Sequence, residues 1–126
     1  MPRRTKPGRV SVGDYEPVKV LLDDRRAPEP DPETWVWVRT PAEAIGLLQT
    51  GAVTELSLDH DLGLLDQKRE VTGYDVVTWI EQAVANEGFA PPARIRVHSA
   101  NVSAAPKMER GIESIRRLAA RRNEDP

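Results

Sequence analysis

The stretch "VKVLLDDRRAP", residues 18–28, sets a short aliphatic run hard against two adjacent carboxylates, two arginines and a proline. An apolar run of this length with such sharp ends reads as a buried strand over Val18–Leu22. Asp23 and Asp24 follow it directly. Adjacent like charges cost free energy unless a cation, a proton or an arginine compensates them. The pair is therefore either a ligand set or a salt-bridge cluster in a loop.

The same ending recurs twice. In "ELSLDHDLG", Leu56 and Leu58 lead into Asp59, His60 and Asp61. In "PPARIRVHSAN", Ile95 and Val97 alternate with Arg94 and Arg96, the pattern of a half-exposed edge strand, and lead into His98, Ser99 and Asn101. A further strand is expected at Val36 to Val38, flanked by Trp35 and Trp37. Helix signals separate these runs. "TPAEAIGLLQTG" offers Thr40 as N-cap, Pro41 at the first helical position, Glu43 to close a capping box and Gly51 at the exit. "TGYDVVTWIEQAVANEG" opens with Thr72 and Asp75 in capping-box spacing, puts Val76, Val77, Ile80, Ala83 and Val84 on one side, and leaves at Gly88. A last helix is expected from about Ala105 to Arg121, with Met108, Ile112, Ile115 and Leu118 inward. The segment "LLDQKRE" reads as polar loop. No full helix fits between the first two strands, so the second could run parallel or antiparallel to the first.

Alternating strands and helices imply a mostly parallel α/β sheet, and ligands bind such sheets beyond the carboxyl ends of the strands. The three polar endings should therefore meet at one edge. The 126 residues allow one domain with one core, expected over residues 17–122, after a basic N-terminal arm (1–16) and before a frayed tail (123–126). No apolar stretch approaches the roughly 20 residues that a bilayer requires. The N-terminus lacks the apolar core of a secretory signal. With no cysteine, disulfides, thiolate metal sites and cysteine nucleophiles are excluded, and a cytoplasmic location is expected. The net charge of −2 gives no global drive toward nucleic acid or anionic membrane, although basic residues gather near both ends. DNA and membrane partners are not expected.

Both histidines of the chain fall among the acids at strand ends. Several carboxylates with an amide oxygen make a hard donor set suited to Mg²⁺ or Mn²⁺, and zinc fits less well. The ligands assigned to the metal are Asp23, Asp24 and Asp59. A phosphoryl substrate would be held by Ser99 and Asn101 and by Arg25 or Arg26, since an arginine fork matches phosphate oxygens. His98 and His60 are the candidate acid and base, with Asp61 orienting a histidine. A metal-free version using only the histidine pair is a variant of the same expectation.

The blocks "KVLLDDRRAP", "LSLDHDLG", "TGYDVVTWIE" and "VHSAN", followed by a Met-containing helix, resemble the cyclic-phosphate processing receiver-like domains. These form a bacterial and phage group related to response-regulator receivers. The resemblance spans about residues 18 to 120. It implies a small, trimmed flavodoxin-like three-layer sandwich, with about four mainly parallel strands in the order 2-1-3-4 and three helices. Asp23 and Asp24 match the receiver acidic pair that binds Mg²⁺, Asp59 the phosphoacceptor and Ser99 the hydroxyl residue after the fourth strand. The helix between the first two strands and a fifth strand with the receiver lysine are missing. His60, Asp61, His98 and Asn101 are additions. The expected function is a metal-assisted phosphodiesterase that opens a cyclic phosphate on a nucleotide or RNA end. The alternative is a non-catalytic switch or phospho-ligand module with Asp59 as phosphoacceptor. A third reading, an interaction domain with a relic site, would pair the acids with Arg25, Arg26 and Arg39.

Overall fold

Each apolar run forms a strand where its side chains alternate between a helix-covered face and an open one. The computed structural model describes residues 17–24, 35–66, 69–99 and 101–124. Its elements are β1 (Val18–Leu22), β2 (Trp35–Val38), α1 (Pro41–Leu48), β3 (Val53–Leu58), β4 (Asp61–Asp66), β5 (Arg69–Thr72), α2 (Tyr74–Glu87), β6 (Arg94–Val97) and α3 (Ala105–Glu124). The main sheet has the order β2-β1-β3-β6 with every pairing parallel. This is the expected 2-1-3-4 order with the fourth strand of the sheet at an edge, and it resolves the direction of β2. The flavodoxin-like class therefore stands. The expected N-terminal arm and residues 25–34, Arg25 and Arg26 included, lie outside the described residues.

The helix grammar of α1 holds in full: Thr40 Oγ1 accepts from the Glu43 N–H at 3.1 Å and Glu43 Oε1 accepts from the Thr40 N–H at 3.2 Å. Reciprocal caps of this kind contribute about 1 kcal/mol. The bonds to the Arg39 and Thr40 backbone hold the Glu43 carboxyl below its usual range. At α2 the box is offset by one residue, with Gly73 at the cap position. Asp75 Oδ2 accepts from the Thr72 N–H at 2.9 Å, while Thr72 Oγ1 accepts from the Tyr74 N–H at 3.1 Å. Gly88 ends α2 in the left-handed region, at φ 71°, as its position suggested. α3 runs past the expected Arg121 into the first two residues of the segment expected to fray.

The reading of "LLDQKRE" as loop is corrected. Residues 61–66 and 69–72 form an antiparallel hairpin, β4-β5, whose register shifts between Asp61 and Leu64. Leu62 joins the core while Arg69 and Glu70 are exposed, and the register shift breaks the two-residue period, so the ribbon gives no clean alternating signal.

Val20, Leu22, Leu56, Leu58 and Ile95 form a core with Ala44 and Leu48 of α1, Val76, Val77 and Ile80 of α2, and Met108, Ile112 and Ile115 of α3. All three described helices thus pack on one sheet face. The crossovers β2-α1-β3 and β3-α2-β6 step in the same direction, and right-handed connections that do so put their helices on the same side. Of the three layers expected, two are built from described residues. No described helix is long and apolar enough to cross a membrane.

Gly73 joins the hairpin to α2, its N–H donating to the His60 carbonyl at 3.1 Å. A Cβ at this residue would stand 2.0 Å from the Asp59 carbonyl oxygen, a contact that backbone cannot relieve cheaply. Gly46, exposed in the middle of α1, would meet nothing within 4 Å. Gly73→Ala should therefore destabilise the domain by about 1–3 kcal/mol, whereas Gly46→Ala should stabilise it by about 0.5–1 kcal/mol. Denaturant melts of both variants check the contrast, and equal effects would contradict this packing.

Candidate functional site

The parallel ladder continues one residue beyond the strands. The Asp23 N–H donates to the Val38 carbonyl at 3.1 Å, the Asp59 N–H to the Leu22 carbonyl at 3.0 Å and the His98 N–H to the Leu58 carbonyl at 2.9 Å. Because Leu22, Leu58 and Val97 point toward the helices, the next residue of each strand turns to the opposite face. Asp23, Asp59 and His98 are thereby set side by side at the carboxyl edge. The expected convergence of three strand endings is met.

His98 is held at both ring nitrogens. Nδ1 lies 2.7 Å from Ser57 Oγ, and Nε2 lies 3.0 Å from Asp23 Oδ2. An ionised Asp23 only accepts, so Nε2 donates to it. In the neutral ring Nδ1 then accepts from the Ser57 hydroxyl. Asp23 is buried, and the Trp37 indole N–H pins its carbonyl at 2.7 Å. Asp59 is half-buried. Burial, and then the Asp23 carboxylate beside it, push its carboxyl above the usual range, while His98 and the His60 backbone N–H pull the other way. Asp24 adds a smaller upward push from farther off. Its Oδ2 lies by Gly63 of β4, 3.5 Å from where a Cβ on that glycine would stand.

A second chain of bonds lies on the exposed side. Asn101 Nδ2 donates to the Asp61 carboxylate at 3.3 and 3.4 Å, and Asp61 Oδ1 lies 2.7 Å from His60 Nδ1. These two bonds, the one to His60 first, hold the Asp61 carboxyl below its usual range. His60 Nε2 has no hydrogen-bond partner among the described residues, although the side chain is only 17% exposed. Asn101 Oδ1 accepts from the Ser103 and Ala104 N–H groups at the entry to α3, which commits this amide to structure at both ends. Ser99 Oγ accepts from the Asn101 N–H at 3.0 Å and keeps its own proton to donate.

Asp23, Asp59 and His98 each offer one donor atom, all within 4.8 Å of one another. This trio differs from the expected set of Asp23, Asp24 and Asp59 in taking His98 in place of Asp24. Arg39 lies over the Trp37 ring, 4.5 Å from its centroid. Arg25 and Arg26, expected to grip phosphate, are outside the described residues. Ser57 escaped the sequence reading because a serine inside "ELSL" looks like strand filler. Its signal was the two-residue spacing to Asp59, which puts both on one face.

Comparisons with curated proteins and with solved structures returned no match. Against known families, residues 18–114 match the one described as "Cyclic-phosphate processing Receiver domain". The match covers well over half of the chain and takes in Asp23, Asp59, His60, Asp61, His98 and Asn101, so the chain belongs to the cyclic-phosphate processing receiver domain family.

Proposed function

We propose that the domain hydrolyses a cyclic phosphate ester on a nucleotide or an RNA end to the open monoester. The observation that carries this reading is the chain Asn101–Asp61–His60, which holds His60 through Nδ1 and begins one residue after Asp59 of the carboxylate-imidazole cluster. A carboxylate on Nδ1 fixes the tautomer and makes Nε2 the basic atom. In the proposed step His60 Nε2 takes a proton from water as the water oxygen bonds to phosphorus. The opposite ring P–O bond breaks in line, and the leaving alkoxide receives a proton. His98 is the proposed proton donor in its doubly protonated form, in which Nδ1–H donates to Ser57 Oγ and Nε2–H is the proton given up. It must exchange its Asp23 bond for the substrate oxygen, so His60 is the freer of the two. Ser99 donates to a non-bridging phosphate oxygen, and Asn101 acts by positioning Asp61.

A divalent cation such as Mg²⁺ or Mn²⁺ fits the donor set of Asp23, Asp59 and His98 in a state in which His98 serves as ligand and not as proton donor. Two oxygens and an imidazole suit Mn²⁺ better than an all-carboxylate set would. When bound, such an ion supplies positive charge to the phosphate oxygens. The raised proton affinity of Asp59, from burial first and the Asp23 carboxylate second, supports the same proposal, because a cation at this edge would offset both. The second reading, a phosphoacceptor switch, is favoured by the place of Asp59 at the end of β3. A mass gain of one phosphoryl group on incubation with acetyl phosphate would favour it over hydrolysis.

Three outcomes are expected. His60→Ala should lower the turnover of 2′,3′-cyclic nucleotides about 100-fold or more at unchanged melting temperature, since positioned proton transfer contributes roughly 10² to 10⁴. An unchanged rate would remove His60 from the chemistry. His98→Ala should lose both rate and stability, because it leaves Asp23 and Ser57 buried without this partner. Its rate loss should shrink with a better leaving group, which needs no proton.

The third outcome concerns charge. A carboxyl whose folded pKa is raised destabilises the fold progressively as pH rises from its unfolded toward its folded pKa and beyond. Asp59→Asn should therefore raise the melting temperature at neutral pH, and the gain should fade on acidification through the carboxylate range. Mn²⁺ or Mg²⁺ should stabilise the parent protein by mass action but not this variant. A metal-induced shift that survives Asp59→Asn would contradict the assigned ligands.

A further inference from the structure

The helices leave one face of the sheet uncovered by any described helix, and its side chains form a lattice that ends at the site. The register aligns Trp35, Lys19, Glu55 and Arg94 across β2, β1, β3 and β6 as one row. Trp37, Leu21, Ser57 and Arg96 form the next row. The third row contains Asp23, Asp59 and His98. The rows are about 6.6 Å apart along the strands. Trp35 and Trp37 are half-buried rather than packed away, and Arg94 and Arg96 are exposed. Lys19 Nζ stands 5.7 Å from the Trp35 ring centroid and 3.8 Å from Glu55, and Arg39 stacks over Trp37.

The geometry points to a docking surface for a single-stranded polynucleotide that leads its phosphate end to the third row. Two indoles and an arginine plane offer stacking surfaces, which every base can use. Lys19, Arg39, Arg94 and Arg96 against the single Glu55 give the first two rows the charge that a phosphate backbone seeks. The row spacing exceeds the about 3.4 Å rise per nucleotide of a stacked duplex strand, which favours an extended, unstacked strand. Charge argues against the other occupants. A second copy would bring the same cations face to face. The N-terminal residues 1–16 hold Arg3, Arg4, Lys6 and Arg9 against Asp14 and Glu16 and are also net positive. The inference rests on the proposed function only for what the end of the strand undergoes.

The test is binding without turnover. Fluorescently labelled uridine RNA of about ten nucleotides, within the usual site size of roughly 4–16, carries an ordinary 3′-hydroxyl. It is titrated with the full chain by anisotropy, beside a DNA strand of matching base sequence and a duplex. Single strands should bind more tightly than duplex, with affinity falling steeply as salt rises. RNA above DNA would assign the ribose a role, and equal affinity would assign the shared backbone and bases. Trp37→Ala, and independently the exposed double variant Arg94→Glu/Arg96→Glu, should each weaken binding about tenfold or more, in line with the roughly 1–3 kcal/mol of a stacked base. Arg117→Glu, on α3, should leave it unchanged. The double variant keeps the test valid if Trp37→Ala fails to fold. No binding at low salt, equal loss with Arg117→Glu, or a dimer that buries this face would overturn the proposal. Because no cyclic phosphate is used, the result stands whether or not the domain hydrolyses one.

Discussion

The parallel ladder runs one residue past β1, β3 and β6, and the site depends on that extension. The backbone bonds from Asp23, Asp59 and His98 to the neighbouring strands fix these residues as a continuing row of the sheet. Pleating then fixes their direction: the preceding Leu22, Leu58 and Val97 face the helices, so the next residue faces away. A one-residue slip of β3 would exchange Leu58 for Asp59 in the core. The fully buried Leu22, Leu58 and Met108 therefore hold the register of this edge as well as the fold.

That rigidity lets a costly arrangement persist. Asp23 and Asp59 sit close enough to raise the proton affinity of Asp59, and burial removes the water that would screen them. The compensation within the protein is partial: His98 donates to Asp23, Ser57 fills the far side of the ring, and the His60 N–H serves Asp59. A group that brings positive charge to this edge relieves repulsion the fold already carries, so differential binding is built into the ground state. The exposed half of the site has the opposite character. Asp61 there has its charge favoured by His60 and Asn101, and it keeps an imidazole oriented instead of competing for a cation.

Much of this was legible in the sequence wherever one residue type has one physical use. The Thr40–Pro41–Glu43 grammar gave α1, Gly88 the exit of α2, and the endings of three apolar runs gave the carboxyl-edge cluster. What stayed hidden has physical reasons. The β4-β5 hairpin exposes Arg69 and Glu70, and its register shift breaks the two-residue period, so its sequence gives no clean alternation. Asn101 looked like a phosphate ligand because an amide suits either role. Only the structure gives it to Asp61 and to the entry of α3.

The departures from a full receiver act together. With no helix between β1 and β2 among the described residues and no strand beyond β6, the face that carries Lys19, Leu21, Ser57 and Arg96 keeps no described helical cover. A lysine from a fifth strand would have brought a cation to the acids. Here His98, next to Leu58 in the ladder, occupies the edge instead and binds Asp23 directly. A lysine ammonium only donates, whereas an imidazole can return a proton as well as give one. The edge therefore carries a group that can exchange protons where a lysine would only hold charge.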